Sequence, residues 1–245
     1  MTIERRVRIV QDNDGCTDGP REWDNAGRMI CWHDSYNLGD EHSYSCTDFL
    51  RELACEHDDD LEEYIDRLEG EVGDKLYDRA MDHGRKGWES CTAYADRFIR
   101  KRIDSRIESA LDAGYVILPL YLYDHSGITI STGSFSCMFD SGQVGWIVCD
   151  KDTIEKEWAG NRDLAEKCLR AEVAVYDDYL TGNVWGYIAE EREVMDCWDL
   201  DDNEGWETTD SCWGFYGSDP ETNGIKDHLC DDYADALADA QVEYA

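Results

Sequence analysis

Apolar residues recur at three- and four-residue intervals in several stretches of this chain, and each stretch reads as one face of an amphipathic helix. Phe49, Leu50, Leu53 and Ala54 follow a capping Thr47. Leu61, Ile65, Leu68, Val72 and Leu76 carry the pattern over about 59–81. Trp88, Cys91, Ala95, Phe98, Ile103, Ile107 and Leu111 carry it over about 88–113, where Gly114 supplies the stop. The stretch 152–180 is helical with an interruption at Gly160-Asn161, and a last helix is predicted over about 220–242.

Elsewhere the period falls to two or disappears. Residues 2–11 alternate as a strand does and end at the turn sequence Asp12-Asn13-Asp14-Gly15. Residues 115–123 form a continuous apolar run, and with 128–131 and 144–149 they predict three strands joined by Gly- and Ser-rich turns. Residues 184–189 and 211–216 read as two further strands, with an acidic loop over 196–210 between them. Residues 20–45 hold Trp23, Met29, Ile30, Trp32 and Tyr36 as apolar anchors among turn residues and predict no regular element. The sum is an α+β fold: a central, mostly antiparallel sheet with several amphipathic, strongly acidic helices. It is expected as a single domain over 1–245, in which 47–113 is able to form a helical subdomain.

Composition changes this picture little until charge is considered. Nine Trp, 14 Tyr, 5 Phe and only 3 Pro supply too much core-forming material for a disordered polyanion. Residues 1–11 lack the apolar run of a secretory signal, and no stretch reaches the ~18 apolar residues of a membrane span. A cytoplasmic protein, acting inside a host cell and without a membrane partner, is expected. The 11 Cys are odd in number and scattered singly, which suits reduced, buried thiols better than a disulfide scaffold.

The formal net charge is −34, and it is unevenly placed. Residues 40–82 hold 16 acids against 4 bases and residues 190–245 hold 18 against 2, while 83–189 hold 16 against 12. Such a chain repels nucleic acid and anionic membrane. Only short basic clusters interrupt it, at Arg5, Arg6 and Arg8 and at Arg97, Arg100, Lys101, Arg102 and Arg106. Direct nucleic-acid binding is therefore not expected, and electrostatic steering favours cationic partners, including proteins that themselves grip DNA. A duplex carries one charge per ~1.7 Å, so 34 charges match about 58 Å of it. A compact domain of this length is roughly 45 Å across. Spread evenly the charge is too dilute to resemble a duplex; gathered by two segments it approaches that density.

The segments nominate the candidate partner-binding residues. One group is Asp58, Asp59, Asp60, Glu62, Glu63, Asp66, Asp74, Asp78 and Asp82. The other is Asp227, Asp231, Asp235, Asp239 and Glu243, which fall at strict four-residue intervals. On a continuous helix that spacing sets neighbouring carboxylates about 6 Å apart, and each like-charge pair costs a few tenths of a kcal/mol. The competing explanation is a solvated face or a salt-adapted surface, since 35 Asp, 22 Glu, 16 Arg and only 7 Lys also suit a halophilic protein. Clustering weighs against it, because salt adaptation acidifies every exposed surface.

Metal and catalytic readings are weaker. Cys31, His33, His42 and Cys46 place two thiols and two imidazoles within sixteen residues, but without a close Cys pair. Asp124 and His125 end an apolar strand, where acid–base groups often lie, and also read as a plain turn. No nucleophile elbow, phosphate-binding glycine loop or metalloprotease helix is present. No catalytic residue, metal or cofactor is assigned, and the chain is expected to be non-enzymatic.

Four segments carry a resemblance: Pro20-Arg21-Glu22-Trp23-Asp24-Asn25 leading to Cys31-Trp32-His33, the run 118–127 that ends Tyr121-Leu122-Tyr123-Asp124-His125-Ser126-Gly127, the run 140–145, and Ser211-Cys212-Trp213-Gly214-Phe215-Tyr216-Gly217. The chain resembles a family of uncharacterised proteins of bacteriophages and other mobile elements, with motifs distributed over most of its length. The resemblance implies a setting and no mechanism. Together with the charge it implies an acidic inhibitor that mimics DNA and occupies the nucleic-acid site of a host defence protein, of anti-CRISPR or antirestriction type. The alternative from another class is a halophilic intracellular protein with a metal or hydrolytic site at Cys31/His33/His42/Cys46 or Asp124/His125.

Overall fold

The computed structural model describes residues 2–13, 19–70, 74–75, 78–79, 91–194 and 204–244, with the backbone alone at 91, 92 and 94. The strands are β1 (Thr2–Gln11), β2 (Arg28–Cys31), β3 (Tyr115–Asp124), β4 (Ile128–Ser131), β5 (Ser141–Asp150), β6 (Val184–Val194), β7 (Glu207–Tyr216) and β8 (Gln241–Glu243). The helices are α1 (Phe49–His57), α2 (Leu61–Glu69), α3 (Cys91–Gly114), α4 (Lys151–Trp158), α5 (Arg162–Leu180), α6 (Ile225–His228) and α7 (Ala234–Ala238), with 3-10 turns at Pro20–Glu22 and Asp231–Tyr233. The protein is α+β. Its strands gather into two antiparallel-rich sheets of four, ordered β7-β6-β1-β8 and β2-β5-β3-β4. The three central strands of the sequence reading are neighbours in the second sheet, and the flanking strands build the first.

The chain forms two compact units, one of Met1–Asn25, Pro119–Val144 and Arg170–Ala245, the other of Ala26–Leu118 and Gly145–Leu169. In the first unit β1 lies antiparallel to β6 over its whole length, from Thr2 opposite Val194 to Gln11 opposite Trp185. Val7 and Ile9 share a buried cluster with Trp185, Tyr187, Ala189 and Phe215. The face is closed by Ile225, Leu229, Tyr233 and Leu237 from the carboxy-terminal segment.

That segment corrects the predicted helix over 220–242. Ile225, Leu229, Tyr233 and Leu237 are all buried, yet four-residue steps rotate an apolar row by about 40° each, so one continuous helix would carry Leu237 about 120° away from Ile225. The chain instead leaves the helix at Leu229 and Cys230, both extended, and re-enters through a 3-10 turn. Each break turns the next apolar residue back to the core. The five-carboxylate row on one helix therefore does not exist: Asp227, Asp231, Asp235 and Asp239 lie on successive short elements or their caps, and Glu243 lies in a strand.

Strand β8 runs parallel to β1, pairing Arg8 to Val10 with Gln241 to Glu243. A guanidinium–carboxylate fork fastens it: Arg8 donates from Nε to Glu243 Oε1 at 2.7 Å and from Nη2 to Oε2 at 2.6 Å. The same hydrogen bonding holds the Glu243 carboxyl below its ordinary value. The contribution of this fork to stability is thus complete above the unfolded carboxylate value of about 4.3 and is lost as pH falls through the lowered folded value. Hydrogen-exchange protection of the Gln241–Glu243 amides is expected to fall with that titration in the native protein. In Glu243→Gln it is expected to be low already at neutral pH and to lack the acid step.

In the second unit α1, α2 and α3 pack around Phe49, Leu53, Leu61, Ile65, Leu68, Ile103, Ala110 and Leu111, with Ile30, Tyr115 and Val148. Of the periodic residues that predicted this helix, Leu61, Ile65 and Leu68 are buried, Val72 and Leu76 lie outside the described residues, and α2 closes at Glu69 with Gly70 as its cap. Beyond that cap the Asp74 amide donates to the Gly70 carbonyl oxygen and the backbone is helical at 74–75 and 78–79; the rest of the predicted 59–81 lies outside the described residues. Burial of Tyr115 pushes its hydroxyl up to about 12. The interruption expected at Gly160-Asn161 is present: α4 ends at a left-handed Ala159 and α5 starts at Arg162.

Candidate partner-binding surfaces

The two acidic segments fall in different units. In the second unit, Asp59, Asp60, Glu62, Glu63, Asp66 and Glu69 are exposed while Leu61, Ile65 and Leu68 on the opposite side of α2 are buried. Arg67 is the one base among residues 59–69. Part of this placement serves the helix itself, since carboxylates in a first turn, here Glu62 and Glu63, complement the dipole. Asp58 is different. Arg106 of α3 binds it at 2.5 Å and its side chain is 17% exposed, so it is neutralised within the fold and does not belong with the presented carboxylates. Asp74 and Asp78 are exposed, and Asp82 lies outside the described residues.

The carboxy-terminal segment sorts in the same way. Asp227, Asp231, Asp232, Asp235 and Asp239 are exposed, and residues 227–244 hold no Lys or Arg. Glu243 is removed from the candidate set by its fork with Arg8. The basic amino-terminal cluster is removed with it. Arg6 binds Glu190 at 2.7 Å, Arg192 binds Glu4 at 2.8 Å, and Arg5 lies 3.9 Å from Glu191 and 3.7 Å from Asp232. Arg6 and Arg192 also lie over the Trp206 ring, at 4.3 and 4.5 Å from its centroid. Three consecutive register pairs of β1 and β6, Glu4 with Arg192, Arg5 with Glu191 and Arg6 with Glu190, thus match opposite charges, as cross-strand partners do. Glu190, Glu191 and Glu243 neutralise β1 and Asp232 lies within reach of Arg5, whereas Asp227, Asp231, Asp235 and Asp239 are exposed, as are Glu193, Glu204, Glu207 and Asp219.

On α3, Arg97, Arg100 and Lys101 are exposed with Asp96, Asp104 and Glu108 between them along one shallow groove. The helical spacing mixes the signs, so this face is not a uniform cationic patch.

The proposed thiol and imidazole group is not brought together. Cys31 is buried, Cys46 is exposed, His42 Nε2 lies 2.9 Å from the Cys31 carbonyl oxygen, and His33 Nδ1 accepts from the Ser35 amide of its own turn. Among the described residues no group of three or more His, Cys, Asp or Glu could hold a metal ion. His125 pairs not with Asp124 but with Asp140, Nδ1 to Oδ2 at 3.6 Å, and Cys137 Sγ donates to the same oxygen at 3.3 Å. The His125 side chain is 64% exposed in a turn made by Ser126 and Gly127 at positive φ. This is solvated turn geometry with a carboxylate shared by two neighbours.

One surface feature was missed by sequence reasoning. Trp23, read as an apolar anchor among turn residues, is 52% exposed. Its neighbours Glu22 and Asp24 are both exposed, and that polar flanking was the available signal. No helix among the described residues is long and apolar enough to cross a membrane. No family model, curated protein or solved structure matches the chain.

Proposed function

We propose that this protein is an acidic decoy: it presents carboxylates in place of phosphates and blocks the cationic nucleic-acid-binding surface of a host defence protein. The single observation behind the reading is the sorting of the acids. Carboxylates that face bases within the fold, Asp58, Glu190 and Glu243, are withdrawn into ion pairs, whereas Asp59, Asp60, Glu62, Glu63, Asp66 and Glu69 on one unit and Asp227, Asp231, Asp235 and Asp239 on the other stand exposed. A partner that tracks a phosphate backbone with Lys and Arg meets complementary charge there.

Competition with duplex DNA for restriction and CRISPR effector proteins tests it. The chain is expected to displace DNA at low salt and to lose affinity at least about tenfold between 50 and 200 mM salt as pairing is screened. Asp231→Asn, Asp235→Asn and Asp239→Asn together are expected to weaken competition and flatten the salt slope without lowering the melting temperature. Absence of competition, or a triple variant that competes as well as the native chain, would sink the reading. A native fold that requires molar salt would favour the halophilic alternative.

A further inference from the structure

We infer that Trp23, with Tyr216 and its two flanking carboxylates, is an anchor that receives an arginine side chain of the cationic partner; the inference rests on the decoy reading and names the chemistry of one contact within it. The indole stands on Tyr216 with ring centroids 5.4 Å apart and planes at 69°, so Tyr216 supports the indole at one side. More than half of Trp23 remains in solvent. Tyr216 is in turn met by Tyr179 at 6.4 Å, and Tyr179 stacks on Tyr176 at 6.1 Å. A row of rings therefore leads from the core of the first unit out to one exposed indole.

The turn that carries Trp23 is fixed on three sides. Pro20 is buried within the 3-10 turn, Arg21 and Glu172 form an ion pair at 3.2 Å with side chains only 9% and 12% exposed, and the Asn25 amide donates to the carbonyl oxygens of Pro20 and Trp23 at 2.9 and 3.0 Å. An indole held this way loses little freedom on binding, which is what an interface anchor requires. The anchor's surroundings choose the occupant. Glu22 and Asp24, both exposed, flank Trp23 in sequence, and the Asp178 carboxylate, which accepts from the Asn183 side-chain amide, would lie 3.5 Å from a Cβ at Gly217, the residue after Tyr216. An apolar guest would meet carboxylates there, and an anionic guest would be repelled. A cation over the indole face gains from both ring and carboxylates. Arginine fits better than lysine, because its planar guanidinium stacks on a ring, sheds water more easily and still presents N–H groups at its edge to a carboxylate.

Fluorescence anisotropy with labelled nona-arginine and nona-lysine peptides tests this on the full chain. The native protein is expected to bind both in a salt-dependent way, and nona-arginine about three- to fivefold more tightly. Trp23→Ala is expected to weaken nona-arginine more than nona-lysine and so abolish that preference, and Trp23→Phe is expected to restore part of it. The Asp231/Asp235/Asp239→Asn variant should weaken both peptides and keep the preference. Equal affinity for the two peptides, or a preference that survives Trp23→Ala, overturns the anchor and leaves the decoy reading standing. Binding of neither peptide at low salt overturns both.

Discussion

Phe49→Ala is expected to destabilise the second unit by about 3–5 kcal/mol, the usual cost of deleting a buried ring. Phe49 is 1% exposed and is met edge-on by Trp32 at 5.4 Å and Tyr44 at 5.1 Å between ring centroids. It belongs to the same cluster as Leu61, Ile65 and Leu68, the residues that hold α2 in place. A nine-residue helix has no independent stability in water, so α2 exists by virtue of this packing. Its carboxylates depend on it too. Urea denaturation followed by hydrogen exchange of the α1 and α2 amides should show the loss there, with the Val7 and Ile9 amides of β1 far less affected. If α2 remained as protected as in the native chain, the assigned role of Phe49 would be wrong.

The second large effect is expected at Gly145. A Cβ there would lie 2.0 Å from the Ile30 carbonyl oxygen and 2.9 Å from the Cys31 Cα. Both obstacles are backbone, so no rotamer change relieves them. Cys31 stands opposite Gly145 in the β2–β5 register, and Gly145→Ala forces that pair apart. A loss of at least about 3 kcal/mol, at the upper end of overpacking, is expected. Gly142→Ala is the matched control, because nothing lies within 4 Å of its added Cβ. It should change stability by no more than about 0.5 kcal/mol. Equal urea midpoints for the two variants would contradict the close approach.

Where local pattern and tertiary packing agree, the chain was legible. Alternation marked β1, a continuous apolar run marked β3, and the Leu61, Ile65, Leu68 spacing marked the buried side of α2. The carboxy-terminal segment misled because its apolar residues also recur every four, which mimics a helix over two turns and departs from one over three. Segment charge was legible as a total but not as a surface. The partners of Arg6 and Arg8 lie 184 and 235 residues away, so no local pattern could reveal that Glu190 and Glu243 are neutralised. Trp23 failed for the opposite reason: an aromatic residue is expected inside, and only its ring contact with Tyr216 explains how it stands outside.

The pairing of β1 with β6 and β8 also sets a timetable for synthesis. At 5–20 residues per second, the arginine-bearing first strand leaves the ribosome well before its partners at Val184–Val194 and Gln241–Glu243 are made. Contacts this distant in sequence form slowly and late. The second unit, complete once Leu169 has emerged, is free to fold first. During that interval β1 presents Arg5, Arg6 and Arg8 without their carboxylate partners, and the strand is neutralised first by Glu191 and Glu190 of β6 and last by Glu243 of β8.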